Sequence, residues 1–224
     1  MSRHLQQDLE EAYHRLLALS GHVEEMIVAA VRSLMERRRD IAQQVIDRDT
    51  EIDTIEVRIE EECLKMLALH QPVATDLRRL TTMMKINNDL ERMADLACNV
   101  AERAYNLTDV PDFPIPILIG EMVELTTTMV RDGLNAFVNL NVDLAYQVIG
   151  RDDAVDALNV RVIDQLSEIM QEHPAWVPAA LHCFSAARHL ERIADHATNV
   201  AEDVVYMVGG VIVRHRHLPP QATG

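Results

Sequence analysis

The sequence predicts an all-α protein made of two tandem three-helix bundles, with six long helices related by internal duplication. The duplication is visible where Leu90–Glu102 returns as Leu190–Glu202, with ten of thirteen residues identical. A second pair, Val45–Arg58 and Val148–Arg161, repeats at a distance of 103 positions. Aromatic residues make up 4% of the chain and glycine occurs 7 times in 224 residues, which favours helix packing over sheet. A repeat of about one hundred residues has the size of a domain.

The first half contains apolar residues at helical spacing in three successive stretches. The first stretch has a lead-in at 4–19 and a long helix at 22–38, and the Ser20–Gly21 pair between them predicts a kink or break. A second helix is expected from 40 to about 70, ending before a proline, and a third from about 73 to 107.

A proline-rich connector at 109–116 predicts the boundary between the two halves. We therefore predict a first bundle over 1–108, a second over 117–208, and a loose C-terminal tail over 209–224. Gly209 and Gly210 are expected to stop the last helix. The helices expected in the second bundle are 117–139, 141–171 and 176–208.

The formal net charge of −15 argues against a nucleic-acid or anionic-membrane partner, because both would require clustered Lys and Arg. It favours cations or basic protein faces, and it also fits a soluble protein with no charged partner. Three cysteines without a C-x-x-C pair indicate a reducing compartment. No signal peptide or membrane span is recognisable, so we expect a cytoplasmic protein.

Carboxylates form a stripe on the third helix of each half. At about 100° per residue, Glu91, Asp95, Asn99 and Glu102 fall within an arc of about 80°, on the flank of the apolar face. On the second helix, Asp49 and Asp53 also lie on the flank, one turn apart. If the two helices pack side by side, these oxygens line one groove, and the second half repeats the arrangement.

Like charges one helical turn apart destabilise a helix by about 0.2 to 0.5 kcal/mol, so a counter-charge is expected. Carboxylate and amide oxygens are the ligands of hard cations. A single E-x-x-x-D pattern is usually a solvated helix face, but two matched copies favour metal binding. The predicted ligands are Asp49, Asp53, Glu91, Asp95, Asn99 and Glu102 in the first half, and Asp152, Asp156, Glu191, Asp195, Asn199 and Glu202 in the second.

Some neighbouring residues are interpreted differently. Glu56 shares the stripe of the second helix, but its counterpart is Asn159, so we expect it to be solvated. Cys98 borders the groove and is interpreted as a packed residue, with a soft ligand as the alternative. His189 and His196 fall on the side away from the stripe, which disfavours them as ligands.

At these residues the sequence resembles the PhoU family, the phosphate-uptake regulators of bacteria and archaea. The matching segments are Leu90–Asp95 and Leu190–His196, each followed by Asn-Val-Ala-Glu, together with Ile46–Asp53 and the turn Gln71–Arg78. The resemblance covers the chain from about residue 5 to residue 207.

The resemblance implies two three-helix bundles with surface clusters of iron or zinc, or of magnesium-like or manganese ions. It implies a non-catalytic role, in which the protein restrains the high-affinity phosphate ABC transporter and helps its sensor histidine kinase when phosphate is plentiful. The expected partners are that kinase, the transporter ATPase and a second copy of the chain in a homodimer. Two departures are noted: His173–Val177 lacks the Asp-Leu-Arg of the first turn, and Leu96 stands opposite His196 in the repeat.

Two other functions are open at this point. A ferritin-like di-metal oxidase or metal-storage protein would need Glu-x-x-His pairs facing the bundle centre. In this sequence, Glu91 and Glu191 are followed three places later by Ala94 and Ala194. A helical scaffold without metal is the other alternative. The chain also lacks a Gly-rich phosphate loop, a nucleophile elbow and an H-E-x-x-H motif, which favours a regulator over an enzyme.

Overall fold

A computed structural model describes residues 3–213 and shows the predicted all-α architecture of two three-helix bundles in tandem. The helices of the first half are α1 (Arg3–Glu36), α2 (Arg39–Asp47), α3 (Asp49–His70) and α4 (Ala74–Leu107). Those of the second half are α5 (Ile117–Asn139), α6 (Val142–Ile149), α7 (Asp152–Glu172), a short 3₁₀ helix (Pro174–Trp176) and α8 (Val177–Gly209). Within residues 3–213, no helix is long and apolar enough to cross a membrane.

The middle helix of each bundle is broken, which the sequence did not predict. The expected helix over 40–70 divides at Arg48. The Arg48 N–H donates to the carbonyl of Val45, three residues earlier, whereas an α-helix would use the carbonyl four residues earlier. In the second half the break falls at Gly150 and Arg151. Arg48 keeps right-handed helical dihedrals, so no proline or left-handed residue marks the break in the sequence.

The chain does not break at Ser20–Gly21, because α1 is one uninterrupted helix. A glycine inside a helix costs about 1 kcal/mol relative to alanine. The neighbouring Leu16, Leu19 and Val23 are fully buried, and burying such side chains gains about 1.5 to 3 kcal/mol each. Packing of this face therefore outweighs the local preference of glycine.

The two bundles share a single core, and α4 and α8 are its central pair. Helix α4 packs against α1, α2 and α3, helix α8 packs against α5, α6 and α7, and the two pack against each other. Both carry rows of buried alanines, such as Ala97 and Ala101 with Ala197 and Ala201, whose small side chains permit close approach of neighbouring helices. The carboxylate stripes therefore belong to the two most central helices.

The connector between the bundles carries no helix from residue 108 to residue 116, yet it is held in place. Phe113 is 1% exposed and contacts the Trp176 ring edge-on, with 6.2 Å between centroids. The Arg37 guanidinium donates hydrogen bonds to the carbonyls of Val110 and Phe113. Because these contacts anchor the connector to both halves, it is a packed segment of the core.

The last helix ends as the sequence predicts. Helix α8 stops at Gly209, and Gly210 adopts the left-handed conformation that closes the C-terminus, with its N–H donating to the Tyr206 carbonyl. The loose tail predicted over 209–224 lies mostly outside the described residues, which end at Val213.

Candidate metal centre

The break at Arg48 places Asp49 at the first position of α3, next to the stripe of α4. Asp53 follows one turn later, and Asp95 faces both from α4. One carboxylate oxygen from each of the three residues lies within 4.8 Å of the other two. Two oxygens bound to the same cation at about 2.0 to 2.6 Å are at most about 5 Å apart. The three aspartates therefore fit around one ion without rearrangement of the backbone.

The carboxylates of this cluster repel one another. Partial burial, followed by the charges of Asp49 and Asp95, raises the pKa of Asp53. Burial is also the main cause that raises the pKa of Glu91, and Asp95 is the next largest. Neighbouring carboxylates thus add negative charge around Asp53 and Glu91, as expected of a cation site.

Arg92 is the guanidinium nearest to the stripe, and it neutralises the cluster only in part. Its Nε lies 3.4 Å from a Glu91 oxygen and its Nη1 lies 3.5 Å from an Asp95 oxygen. The Arg92 side chain is 51% exposed, and such pairs contribute little. Asp49 and Asp53 have no ion pair with Arg or Lys in the part of the chain that the structure describes.

The other first-half residues lie beside the three aspartates. The Cys98 thiol donates to an Asp49 oxygen at 3.3 Å, and burial with this hydrogen bond raises the pKa of the thiol. The protonated thiol thus orients Asp49, which agrees with its interpretation as a packed residue. The Asn99 amide nitrogen donates to the Asp95 carbonyl at 2.8 Å. Glu102 is exposed one turn further on, 3.5 Å from Arg103.

The second half brings its carboxylates together less closely. Burial, followed by the charges of Glu191, Asp152 and Asp156, raises the pKa of Asp195 to about 6. Thr198 Oγ1 donates to Asp152 at 3.0 Å and thus replaces the Cys98 thiol of the first half. Among residues 3–213, however, only the first-half aspartates form a group of three with oxygens within 4.8 Å.

Three further predicted ligands of the second half, Glu191, Asn199 and Glu202, differ in their burial and in their contacts. One Glu191 oxygen pairs with Arg188 at 2.9 Å, and the other is buried with no hydrogen-bond partner in the described chain. The Asn199 amide nitrogen donates to Asp89 on α4 at 3.4 Å. Glu202 is partly buried on the same helix. The two carboxylate groups therefore differ in their surrounding contacts.

The expectation that Glu56 is solvated is wrong. Its side chain is partly buried, and its carboxylate accepts a hydrogen bond from the Asn87 amide at 2.9 Å. Asn87 precedes Glu91 by one turn on α4 and so faces the same groove. A polar residue at that position, replaced by Ala187 in the second half, is the signal that sequence reasoning missed.

Two side-chain contacts between the halves also escaped the sequence analysis. His196 Nδ1 lies 2.7 Å from an oxygen of the buried Asp89, and Lys85 lies 3.2 Å from the buried Asp203. These pairs join α4 to α8, so no spacing within one half predicts them. His196 and Asn199, a residue of the predicted stripe, contact the same Asp89 oxygen, so His196 lies beside that end of the stripe and not away from it.

The fold and the carboxylate groups define a class of protein: a duplicated three-helix-bundle protein with acidic clusters on the flanks of its central helices. Residues 16–104 and 119–204 each match the PhoU domain. The chain belongs to the PhoU family.

The chain is similar in sequence and in structure to known proteins over nearly its full length. The chain is 40% identical over 211 residues to the phosphate-specific transport system accessory protein PhoU homolog of Aquifex aeolicus, covering 94% of this chain and 96% of that protein. It is 38% identical over 222 residues to the homolog of Pseudomonas putida, covering 97% and 86%. The crystal structure of PhoU from Pseudomonas aeruginosa superposes with a TM-score of 0.89 at 37% identity, covering 92% of this chain and 99% of that one.

The raised pKa of Asp195 predicts how stability depends on pH. An unfolded aspartate titrates near about pH 4 and the folded one at about 6, so between these values the native state binds more protons. Stability from this group should therefore fall as pH rises through 6. Replacing Asp195 removes this contribution, so we expect the melting temperature of metal-free Asp195→Asn to fall less, or to rise more, between pH 5 and pH 7 than that of the unmodified protein.

The control for this experiment is Asp112→Asn, which removes an exposed carboxylate of the connector. It should keep the pH dependence of the unmodified protein. Melting temperatures are measured by thermal circular dichroism. If the change in melting temperature between pH 5 and pH 7 is the same in Asp195→Asn as in the unmodified protein, the raised pKa of Asp195 is contradicted.

Proposed function

We propose that this protein is a non-catalytic cytoplasmic regulator of phosphate homeostasis, which restrains high-affinity phosphate uptake and the phosphate-starvation response when phosphate is plentiful. The observation that carries this proposal is the match of both halves to the PhoU domain, in a chain whose relatives are named as accessory proteins of the phosphate-specific transport system. Duplication of the domain over the whole described fold supports the same role for the entire chain.

A regulatory role is favoured over an oxidase or storage protein by where the carboxylates lie. Ferritin-like di-metal sites project into the bundle centre. Here Asp49, Asp53 and Asp95 lie on the flank of the core with part of their surface open to solvent. The buried carboxylates Asp89 and Asp203 pair with His196 and Lys85 across the halves, so they are engaged in holding the protein together.

We further propose that the first-half cluster holds a hard cation, with iron or zinc as the leading candidates and magnesium or manganese as alternatives. Three carboxylates supply oxygen donors and three negative charges, and Glu91 extends the donor set by one turn. A bound cation would offset the charges of Asp49 and Asp95, which after burial are the next causes that raise the pKa of Asp53. The second half supplies a looser set around Asp195, which supports weaker or ion-dependent occupancy there.

The proposed partners are the sensor histidine kinase of the phosphate response, the ATPase of the ABC transporter and a second copy of this chain. The net charge of −15 supports docking to basic protein surfaces. Exposed apolar residues at corresponding positions of α3 and α7, Val57 and Val160, are 48% and 58% accessible and support self-association as a homodimer.

Deletion of the gene tests the regulatory role directly. We expect cells grown in abundant phosphate to express their phosphate-starvation genes and to take up radiolabelled phosphate faster, because the restraint has been removed. A plasmid copy of the unmodified gene should restore both readouts. Unchanged expression and uptake in the deletion strain would overturn the proposal.

Metal analysis tests the cluster. We expect full-length protein loaded with Fe²⁺, Zn²⁺ or Mn²⁺ and then desalted to retain the preferred ion, and the Asp49→Asn, Asp53→Asn, Asp95→Asn triple variant to lose at least one ion per chain, because its oxygens no longer carry charge. Elemental mass spectrometry gives the stoichiometry.

The matched control for this loss is Glu51→Gln, Glu60→Gln, Glu61→Gln, which removes three exposed carboxylates from the same helix. This control should retain the ion. Equal metal content in both triple variants would show that the aspartate cluster is not the site, whatever the outcome of the deletion experiment.

A further inference from the structure

One hydrogen bond fixes how α7 and α8 are aligned in the second half. Thr198 Oγ1 on α8 donates to Asp152 Oδ1 on α7 at 3.0 Å. The two helices pack against each other and are consecutive in the chain, with only residues 173–176 between them. Such a short connection makes neighbouring helices antiparallel. Residue numbers therefore rise along α7 as they fall along α8.

Asn159 and Glu191 face each other across this contact. Seven residues make almost two full turns of an α-helix, so residues seven positions apart lie on the same face. Asn159 follows Asp152 by seven positions on α7. Glu191 precedes Thr198 by seven positions on α8. Because the helices are antiparallel, these two steps run in the same direction and bring Asn159 opposite Glu191.

The first half satisfies the acceptor at this level of the groove, and the second half does not. In the first half, Asn87 Nδ2 on α4 donates to Glu56 Oε1 on α3 at 2.9 Å. The counterpart of Glu56 is Asn159, which also has a side-chain oxygen, but the counterpart of Asn87 is Ala187. The second half thus keeps the acceptor and lacks the amide that would donate to it.

Two buried oxygen atoms at this contact lack a partner. Asn159 is 4% exposed, and its Oδ1 has no hydrogen-bond partner among residues 3–213. Arg188 pairs with Glu191 Oε1 at 2.9 Å, whereas Glu191 Oε2 is also without a partner in the described chain. Leaving a buried acceptor unpaired is costly. Two acceptors cannot satisfy each other, but a cation between them would satisfy both.

The two oxygens lie at the bottom of a groove that is open to solvent. Asp156, about one turn before Asn159 on α7, is exposed, and so is Asp195, one turn after Glu191 on α8. The Glu191 side chain itself is 14% exposed. After burial, the charge of Glu191 is the next cause that raises the pKa of Asp195. A cation can therefore enter between the exposed aspartates and reach the buried oxygens.

We propose that Asn159 and Glu191, together with Asp195, bind a hard divalent cation of the class of Mg²⁺ or Mn²⁺. All of these donors are oxygen atoms, which such ions prefer. The proposal rests on the proposed cation binding by the carboxylate stripes and extends it to the second half. It adds a neutral ligand, Asn159, that lies outside the repeated carboxylate pattern and has no amide counterpart in the first half.

Titration with Mn²⁺, followed by electron paramagnetic resonance of the free ion, tests the site. The protein is the full-length triple variant Asp49→Asn, Asp53→Asn, Asp95→Asn, so that the second half is observed alone. We expect one Mn²⁺ to bind per chain. Adding Asn159→Leu, which conserves side-chain volume, should weaken this binding by about tenfold or more, because one polar contact to a charged group is lost.

Asn159→Asp separates a cation ligand from a hydrogen-bond donor. If Asn159 is a ligand, the added negative charge should strengthen Mn²⁺ binding, and Mn²⁺ should restore the melting temperature that the metal-free variant loses. With the amide turned by 180°, Nδ2 would instead donate to Glu191. In that case Asn159→Asp would not strengthen Mn²⁺ binding, and Mn²⁺ would not restore its stability. That result would overturn the proposal.

The matched control is Asn135→Leu, which makes the same chemical change at an exposed position of α5. In the triple variant it should leave the Mn²⁺ affinity unchanged. Circular dichroism shows whether each variant is folded. If Asn159→Leu does not fold, Asn159→Ala removes the same oxygen without adding volume, and the same loss of affinity is expected.

Two further results would overturn the proposal. They are equal Mn²⁺ affinity in Asn159→Leu and Asn135→Leu, and no binding of millimolar Mn²⁺ by the triple variant. If the triple variant binds none while the unmodified protein binds one ion, this inference fails and the first-half cluster stands. If the triple variant keeps all the metal and Asn159→Leu loses it, this inference stands and the first-half cluster is not a site.

Discussion

The antiparallel packing of α4 against α8 is the constraint on which the rest of the structure depends. Each helix is the centre of its own bundle, and their mutual contact gives the two halves one continuous core. Burying both helices leaves only their flanks for polar residues. The carboxylates of Asp95 and Asp195 consequently lie where α3 and α7 begin, and the pairs Asp89–His196 and Lys85–Asp203 fix how the halves are aligned.

The two halves share one fold, but their carboxylate groups differ in spacing and in contacts. The first copy gathers Asp49, Asp53 and Asp95 within 4.8 Å. In the second copy, Asp195 is surrounded by a looser group, and the Asn199 amide reaches across to the other half. The two groups of carboxylates therefore differ both in their spacing and in their hydrogen-bond partners.

The fold could be predicted from the sequence because helical periodicity and an internal repeat are local signals. The carboxylate pairs Asp49–Asp53 and Glu91–Asp95 could be placed on the flanks of their helices for the same reason. The break at Arg48 could not be predicted, since its backbone remains helical and only packing redirects the chain. The Asp89–His196 contact could not be predicted either, because it depends on how two halves meet and not on spacing within one of them.

The central claim is that packing of α3 on α4 brings three aspartates to one cation. Anomalous diffraction from crystals of the full-length protein soaked in Mn²⁺ tests this most directly. The account predicts a peak between the carboxylates of Asp49, Asp53 and Asp95, with oxygen distances of about 2.0 to 2.6 Å. A peak elsewhere on the surface with none at this position, or these three side chains separated by more than one ion can bridge, would contradict it.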